Sequence, residues 1–224
     1  MNYDMSHAPL HELLLQGRQY KLPKGQLVQS FGDHSSLHTI EAGYIKRYLI
    51  TSDGKKSVQN LYGPGDVFPM TPVYKAVFGI DVYRGPEQYY YEAVADLTIR
   101  SLNMEQVLTA LNADPLLYRD LFYASGVRLN SYIHRMEDRS LHSSLYRIAH
   151  LLNFLGLHFG TTTADGLLIQ LPLTHQVIGE LLDLTRETVS RDIAKLRERG
   201  IIDGTKNIII LDRGRLVKLF GGEL

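Results

Sequence analysis

From Tyr20 to Leu102, apolar and polar residues alternate in short runs: "QLVQSF", "LHTIEAGYIKRYLI", "KSVQNLYG", "VFPM", "QYYYEAVA" and "LTIRSL". A period of two is the signature of strands with one face buried. Turn signals separate the runs at Pro23-Lys24-Gly25, Gly32-Asp33, Ser52-Asp53-Gly54, Gly63-Pro64-Gly65-Asp66 and Arg84-Gly85-Pro86. Many short strands with frequent Gly/Pro turns predict a β-sandwich or jelly roll. At Asn103 the period lengthens to that of a helix, and no proline occurs between Pro115 and Pro172. Asp114-Pro115 is a helix start with proline at the first helical position. Beyond it Leu117, Leu121, Ala124, Tyr132 and Met136 follow a period near 3.5 to 3.6, interrupted by Arg128. The segment 114–137 is about 24 residues, hence roughly 36 Å as a helix. That exceeds what a small β-roll needs as cover and predicts a helix packed partly on a second copy of the chain. The plainer reading is a helix packed only on its own sheet.

Further on, "SLHSSLYRIAHLLNFLGLHFG" (Ser140–Gly160) predicts a helix with Leu145, Ile148, Leu152 and Leu155 inward. "TTTADG" reads as a turn and "LLIQLP" as a strand. A helix then starts at Thr174, breaks near Asp183-Leu184, resumes from Thr185 to about Arg199, and is followed by a hairpin, "GIIDGTKNIIIL". That order is a winged helix-turn-helix. Thr174 and Thr185 suit the two N-caps. Ile178, Leu181 and Leu182 give the first helix an apolar face. Gly179 is small enough for close approach, and Asp183 occupies the turn, where a left-handed backbone is needed.

The second helix separates its chemistry by face. With Arg186 at zero on a wheel of ~100° per residue, Val189, Ile193 and Leu196 fall between about 280° and about 340°. Glu187 falls at about 100°, Ser190 at about 40° and Arg191 at about 140°. Thr188 lies at about 200° and Lys195 at about 180°. Arginine bonds guanine O6 and N7 bidentately, glutamate accepts from cytosine N4, and serine reaches base edges or phosphate. These groups occupy the first two turns, the end that enters the major groove in such motifs. Between Thr185 and Arg199 stand five basic residues (Arg186, Arg191, Lys195, Arg197, Arg199) and three acidic ones. A solvated helix with Glu187–Arg191 pairing is the bland alternative, which the preceding helix and following wing disfavour.

Composition narrows the remainder. The 24 basic and 24 acidic side chains give a formal net charge of zero, so a nucleic-acid partner must be met by placement and not by bulk charge. The chain has no cysteine, which excludes disulfides, thiolate zinc sites, cysteine-ligated iron–sulfur clusters and cysteine nucleophiles. No apolar run of ~18 residues is present, so no membrane span is expected. The first residues lack the plan of a signal peptide, and a cytoplasmic location is expected. No Walker loop, metal-ligand motif or nucleophile–base arrangement is visible, so no enzyme and no metal site are expected.

"LTHQVIGELLDLTRETVSRDIAKLRERGIID" closely resembles the DNA-binding segment of the Crp/Fnr superfamily of bacterial transcription regulators. "RETVSR" is similar to its recognition-helix motif, with Ser190 where glycine is familiar. "IEAGYIKRY" and "LYGPGDVF" resemble the strand–turn phrases of the family's cyclic-nucleotide-binding fold. The resemblance implies an α+β chain: a β-roll (jelly-roll) sensor over 1–113, a dimerisation helix over 114–137 and a winged helix-turn-helix over 138–224. It implies that Arg186, Glu187, Ser190 and Arg191 read bases, and that Thr174, His175, Thr185, Thr188 and Lys195 meet phosphates. It further implies a homodimer on a near-palindromic site with a G·C-rich half-site resembling TGTGA, and RNA polymerase as a partner. The runner-up is a ligand-sensing module that acts through protein partners and keeps a vestigial winged helix.

The sensor departs from the family pattern. Gly65-Asp66-Val67-Phe68 is followed by Pro69, Met70 and Thr71 instead of a Gly-Glu-Leu element, so Pro69 lacks the N–H donor and Met70 the carboxylate. The phosphate arginine falls near Gln88 or Tyr89, and Arg84 is several positions away. A buried cyclic phosphate needs a paired cation, so cyclic AMP is not the expected ligand. Met70, Tyr74, Phe78, Tyr83, Arg84, Gln88 and Tyr89 outline a remodelled pocket for a different, less charged effector. Core packing of the aromatic residues, with no effector, is the other reading. His34 and His38 sit four apart in an expected loop, and His142, His150 and His158 drift around a helix. Haem sensors occur in the family, but these histidines read as surface or capped groups.

Overall fold

The computed structural model describes residues 8–28, 36–54, 56–79, 89–141, 143–204 and 207–220. The chain divides into two compact units, Met1–Ser131 and Tyr132–Leu224. The first unit contains α1 (Pro9–Leu15), β1 (Arg18–Leu22), β2 (Ser36–Ala42), β3 (Ile45–Ile50), β4 (Lys56–Tyr62), β5 (Val67–Phe68), α2 (Thr71–Phe78), β6 (Tyr90–Ala93), β7 (Leu97–Asn103) and α3 (Met104–Ala113). Helix α4 (Leu116–Leu141) carries the boundary between the units. The second unit continues with α5 (Ser144–Phe159), β8 (Gly160–Thr163), β9 (Gly166–Ile169), α6 (His175–Leu182), α7 (Arg186–Glu198), β10 (Ile202–Asp203), β11 (Ile209–Ile210) and α8 (Arg213–Lys218).

Two antiparallel sheets, ordered β1-β7-β2-β5 and β4-β3-β6, form the β-roll. Both faces of β2 are covered, which explains why four successive residues, Leu37 to Ile40, are buried. Ile40 joins Ile45, Tyr62, Phe68, Tyr91 and Ile99 in the core between the sheets. Leu37, on the opposite face, joins a second core with Leu10, Leu14, Val107, Leu111, Leu117 and Leu121 from the helices. The tight turn into β3 needs Gly43: its φ is +89°, and a Cβ there would lie 2.3 Å from the Asp96 carbonyl oxygen. In the second unit one sheet, β10-β11-β9-β8, carries the wing.

Several elements differ from their sequence readings. The strand pattern begins earlier, with β1 paired to β7 from Arg18, and is preceded by α1. "QLVQSF" contributes a single bridge, Leu27 to Glu92, and its last three residues lie outside the described residues. Thr161–Thr163 form strand β8 and not a turn, because β-branched residues favour extended backbone. The reversal is made by Ala164-Asp165. Helix α4 runs from Leu116 to Leu141, and α5 starts only at Ser144, where the Ser143 hydroxyl accepts the Tyr146 N–H at 3.3 Å. His38 is not in a loop: it is buried in β2, 5.3 Å from the Phe68 ring.

Part of the α4 stripe expected to meet a partner is turned into this chain instead. Leu117 and Leu121 are buried within this chain's own core with side chains of α1 and α3, and Ala124 is buried as well. They are not available to a second copy. Tyr132 is half-buried, and the Met136 side chain lies outside the described residues. Among the described residues, the large apolar side chains of α4 left outside are Leu116 (57% exposed) at its start and Phe122 (81%), Leu129 (61%) and Ile133 (44%), the last three spaced seven and four apart on another face. Polar contacts hold the inner face down. The buried Asp120 carboxylate accepts the Leu10 N–H at 3.0 Å at the start of α1. The Tyr74 hydroxyl donates to Ser125 Oγ at 2.8 Å.

Candidate nucleic-acid interface

The helix-turn-helix is built by local chemistry. At the start of α6 the Thr174 hydroxyl accepts the Val177 N–H at 3.1 Å. The helix ends in Asp183, whose backbone is left-handed at φ 56°, ψ 49°. A short polar side chain tolerates that region better than most non-glycine residues. Leu184 N donates to the Gly179 carbonyl at 2.9 Å, so the turn folds back on α6. A Cβ on residue 179 would sit 2.6 Å from the Leu184 oxygen. The close approach that requires glycine is therefore made by the turn itself. Thr185 then caps α7 by accepting the Thr188 N–H at 3.2 Å, and its hydroxyl donates to Thr188 Oγ1 at 3.1 Å.

Val189, Ile193 and Leu196 are fully buried under α7, while Arg186, Glu187, Ser190 and Arg191 are exposed. The four expected base readers thus share one open face over the first two turns. Among the expected phosphate contacts, Thr174 and Thr185 are exposed caps, and Thr188 is half-buried with its hydroxyl engaged by Thr185. His175 is half-buried. Burial, then the Arg197 and Arg186 charges, push its pKa below the usual value, so it is neutral at pH 7. Lys195 is held at 3.0 Å by the Asp192 carboxylate. Arg197 donates to the Gly204 carbonyl of the wing, so its charge fastens the hairpin. Residues 205 and 206, at the wing tip, lie outside the described residues.

Asp192 is the residue that sequence reasoning missed. In the sequence it is one more charge on a charged helix, yet it is buried beside the apolar stripe. Burial by itself would raise its pKa, but hydrogen bonds from Ser144 and Lys195 and the Lys195 charge outweigh that and hold it below the usual range. The group is a carboxylate at neutral pH.

In the β-roll, the described residues among those expected to outline a pocket, Met70, Tyr74 and Tyr89, have separate surroundings. Met70 packs on the core shared with the helices, and Tyr74 points to Ser125. Tyr89 packs against the core between the sheets, with the Arg47 guanidinium 4.3 Å from its ring centroid. Tyr83, Arg84, Gln88 and the Phe78 side chain lie outside the described residues. A second cation enters this region, Arg128 from α4, read in the sequence only as an interruption. It ion-pairs with Asp66, donates to the Leu61 carbonyl at 3.2 Å and lies 4.1 Å from the Tyr62 ring centroid. Among the described residues no group of three His, Asp or Glu side chains could hold a metal ion. His150 packs between Tyr146 and Phe220, and His158 stacks on Phe154 at 4.1 Å. No described helix is long and apolar enough to cross a membrane.

Residues 146–219 match the model of the Crp-like helix-turn-helix domain. Over 199 residues the chain is 24% identical to a CRP-like cAMP-activated global transcriptional regulator of Mycobacterium tuberculosis, covering 88% of this chain and 85% of that protein. It is 25% identical to the transcriptional activator protein anr of Pseudomonas aeruginosa over 217 residues, covering 96% and 84%. In fold it is similar to FixK2 from Bradyrhizobium japonicum, with a TM-score of 0.74 at 23% identity, covering 93% and 99% of the two chains.

Proposed function

We propose, from the premise that this chain belongs to the Crp/Fnr superfamily of transcription regulators, that it is a homodimer that reads a near-palindromic DNA site with α7. The observation that carries this reading is the division of α7 itself. Arg186, Glu187, Ser190 and Arg191 are exposed on the side away from three fully buried apolar residues, directly after a capped turn. Arg186 and Arg191 suit guanine, Glu187 suits cytosine, and Ser190 suits a base edge. The exposed Thr174 and Thr185 hydroxyls and the His175 ring suit phosphate oxygens.

The functional division is a sensor over 1–113, a dimer helix over 114–137 and a DNA-binding domain over 138–224. The Phe122–Leu129–Ile133 face of α4 is the surface for the second copy, since exposed apolar residues at this spacing are what a parallel helix pair buries. Two-fold pairing presents two recognition helices about one DNA turn apart. Transcription control then takes place in the cytoplasm with RNA polymerase as partner.

The mycobacterial relative is described as cAMP-activated, but Pro69 and Met70 stand where the family's phosphate-and-ribose element would lie. We assign this sensor no cyclic nucleotide. Arg128, the cation that reaches the β4–β5 turn, is already paired with Asp66.

Selection of bound sequences from random duplex DNA tests the whole reading. A two-fold consensus is expected. Arg186→Ala should lose about 1–3 kcal/mol of specific affinity and relax one base position per half-site. An unchanged consensus from that variant would remove Arg186 from the base readers.

A further inference from the structure

Asp192 is out of place on a helix that reads DNA. It is 1% exposed, at the edge of the apolar stripe, on the side leading round to Lys195 and Arg191. A carboxylate repels phosphate, and its burial is costly unless it is paired. Here it has three partners. Ser144, the first residue of α5, donates its hydroxyl to Oδ2 at 2.5 Å. Lys195 Nζ lies 3.0 Å and Arg191 Nε 3.5 Å from Oδ1.

We infer that Asp192 is a positioning residue that sets which cations α7 offers to DNA, presenting Arg191 and withholding Lys195. This rests on the reading of α7 as the recognition helix. Arginine has one donor on Nε and four on the terminal nitrogens. Anchoring Nε leaves the terminal pair for guanine O6 and N7 and removes in advance rotamer freedom that binding would otherwise cost. Lys195 is in the opposite position. Its single ammonium is a point charge already neutralised at the carboxylate, so it adds little to phosphate binding. The Ser144 contact ties the same carboxylate to the first turn of α5, which fixes the depth of α7 against its support. Specificity is thereby raised over non-specific attraction: one cation is aimed at a base and another is kept from the backbone, whose pull is blind to sequence.

The test is the salt dependence of binding, measured on the intact protein with its selected site and with unrelated duplex DNA. A lysine that neutralises one phosphate contributes about 0.9 to the slope of log affinity against log salt. Lys195→Ala, a substitution at an exposed position, is expected to leave that slope unchanged. Asp192→Asn keeps the shape and frees both cations. It is expected to steepen the slope by about 0.9 per protomer, to raise affinity for unrelated DNA, and to reduce base discrimination at the Arg191 position by roughly 3- to 10-fold. Adding Lys195→Ala to Asp192→Asn should return the slope to the wild-type value. A merely structural Asp192 would lower affinity for both DNAs together and leave consensus and slope alone, which would overturn the assignment. A slope flattened by about 0.9 per protomer in Lys195→Ala alone would also overturn it, even where Asp192→Asn does not fold. If the wild-type protein selects no sequence at all, the groove-reading role of α7 falls first, and this assignment with it.

Discussion

Lowering the pH should unload the β-roll through one side chain. His38 is buried in β2 against Phe68, and its Nδ1 has no hydrogen-bond partner among the described residues. Burial lowers its pKa from 6.5 to about 4, because a charged imidazolium there would lose its hydration without gaining a partner. In the unfolded chain the ring titrates near the ordinary value. Between the two pKa values the unfolded state binds a proton that the folded state refuses, so stability falls as pH falls. The contribution is fully present above pH 6.5 and is lost progressively down to about pH 4. The loss amounts to about 2 kcal/mol at pH 5 and about 3 kcal/mol at pH 4. Urea unfolding at fixed protein concentration, at pH 7.5, 6, 5 and 4.5, measures it. Other histidines contribute to the raw curve, so the informative quantity is the difference between wild type and His38→Leu. The wild type should lose about 2 kcal/mol more than the variant between pH 7.5 and 5. Parallel curves for the two proteins would refute the buried, neutral imidazole.

Three further outcomes follow from contacts elsewhere. Gly179→Ala should cost about 1–3 kcal/mol in thermal unfolding, despite alanine's better helix propensity, because its Cβ would meet the Leu184 carbonyl at 2.6 Å. Site-specific binding should weaken with it, and an unchanged melting temperature would contradict the tight turn. Leu129→Glu places a charge on the open face of α4 and should convert the proposed dimer to monomer in sedimentation while leaving helical content intact; a dimer that persists would move the interface elsewhere. Arg128→Ala should lower stability by about 2 kcal/mol, since an ion pair, a hydrogen bond and a ring contact end together. Adding Asp66→Asn should cost less in that variant than in the wild type, a coupling that a double-mutant cycle reads directly.

Much of the interface was legible because it is made by neighbours in sequence. Thr174 and Thr185 cap helices that begin one residue later, and Asp183 takes up its left-handed backbone at the C-cap of α6. A wheel drawn from Val189, Ile193 and Leu196 identifies the open face of α7 without reference to other elements. Strand alternation from Leu37 to Leu102 and the wing hairpin follow from local period in the same way. The misread elements are those with weak local signals, such as α1, β1 and the Gly160–Thr163 strand, whose pairing partners supply what their own sequence does not.

The long helix shows where local reading stops. Its stripe of Leu117, Leu121 and Ala124 is apolar, as is its stripe of Phe122, Leu129 and Ile133, and period alone cannot rank two apolar faces. Packing with α1 and α3 buries the first and leaves the second outside. Arg128 looks like a defect in the sequence and becomes a clasp only when the β4–β5 turn brings Asp66 and Tyr62 to it. Asp192 looks like one more surface charge until Ser144, distant in sequence, closes over it. The sequence by itself determined which residues cap, turn and face outward on α7, because those depend on backbone hydrogen bonds within a few residues. Only the tertiary structure decided which apolar face of α4 is covered and which charges are already paired, because burial and ion pairing depend on groups far apart in the chain.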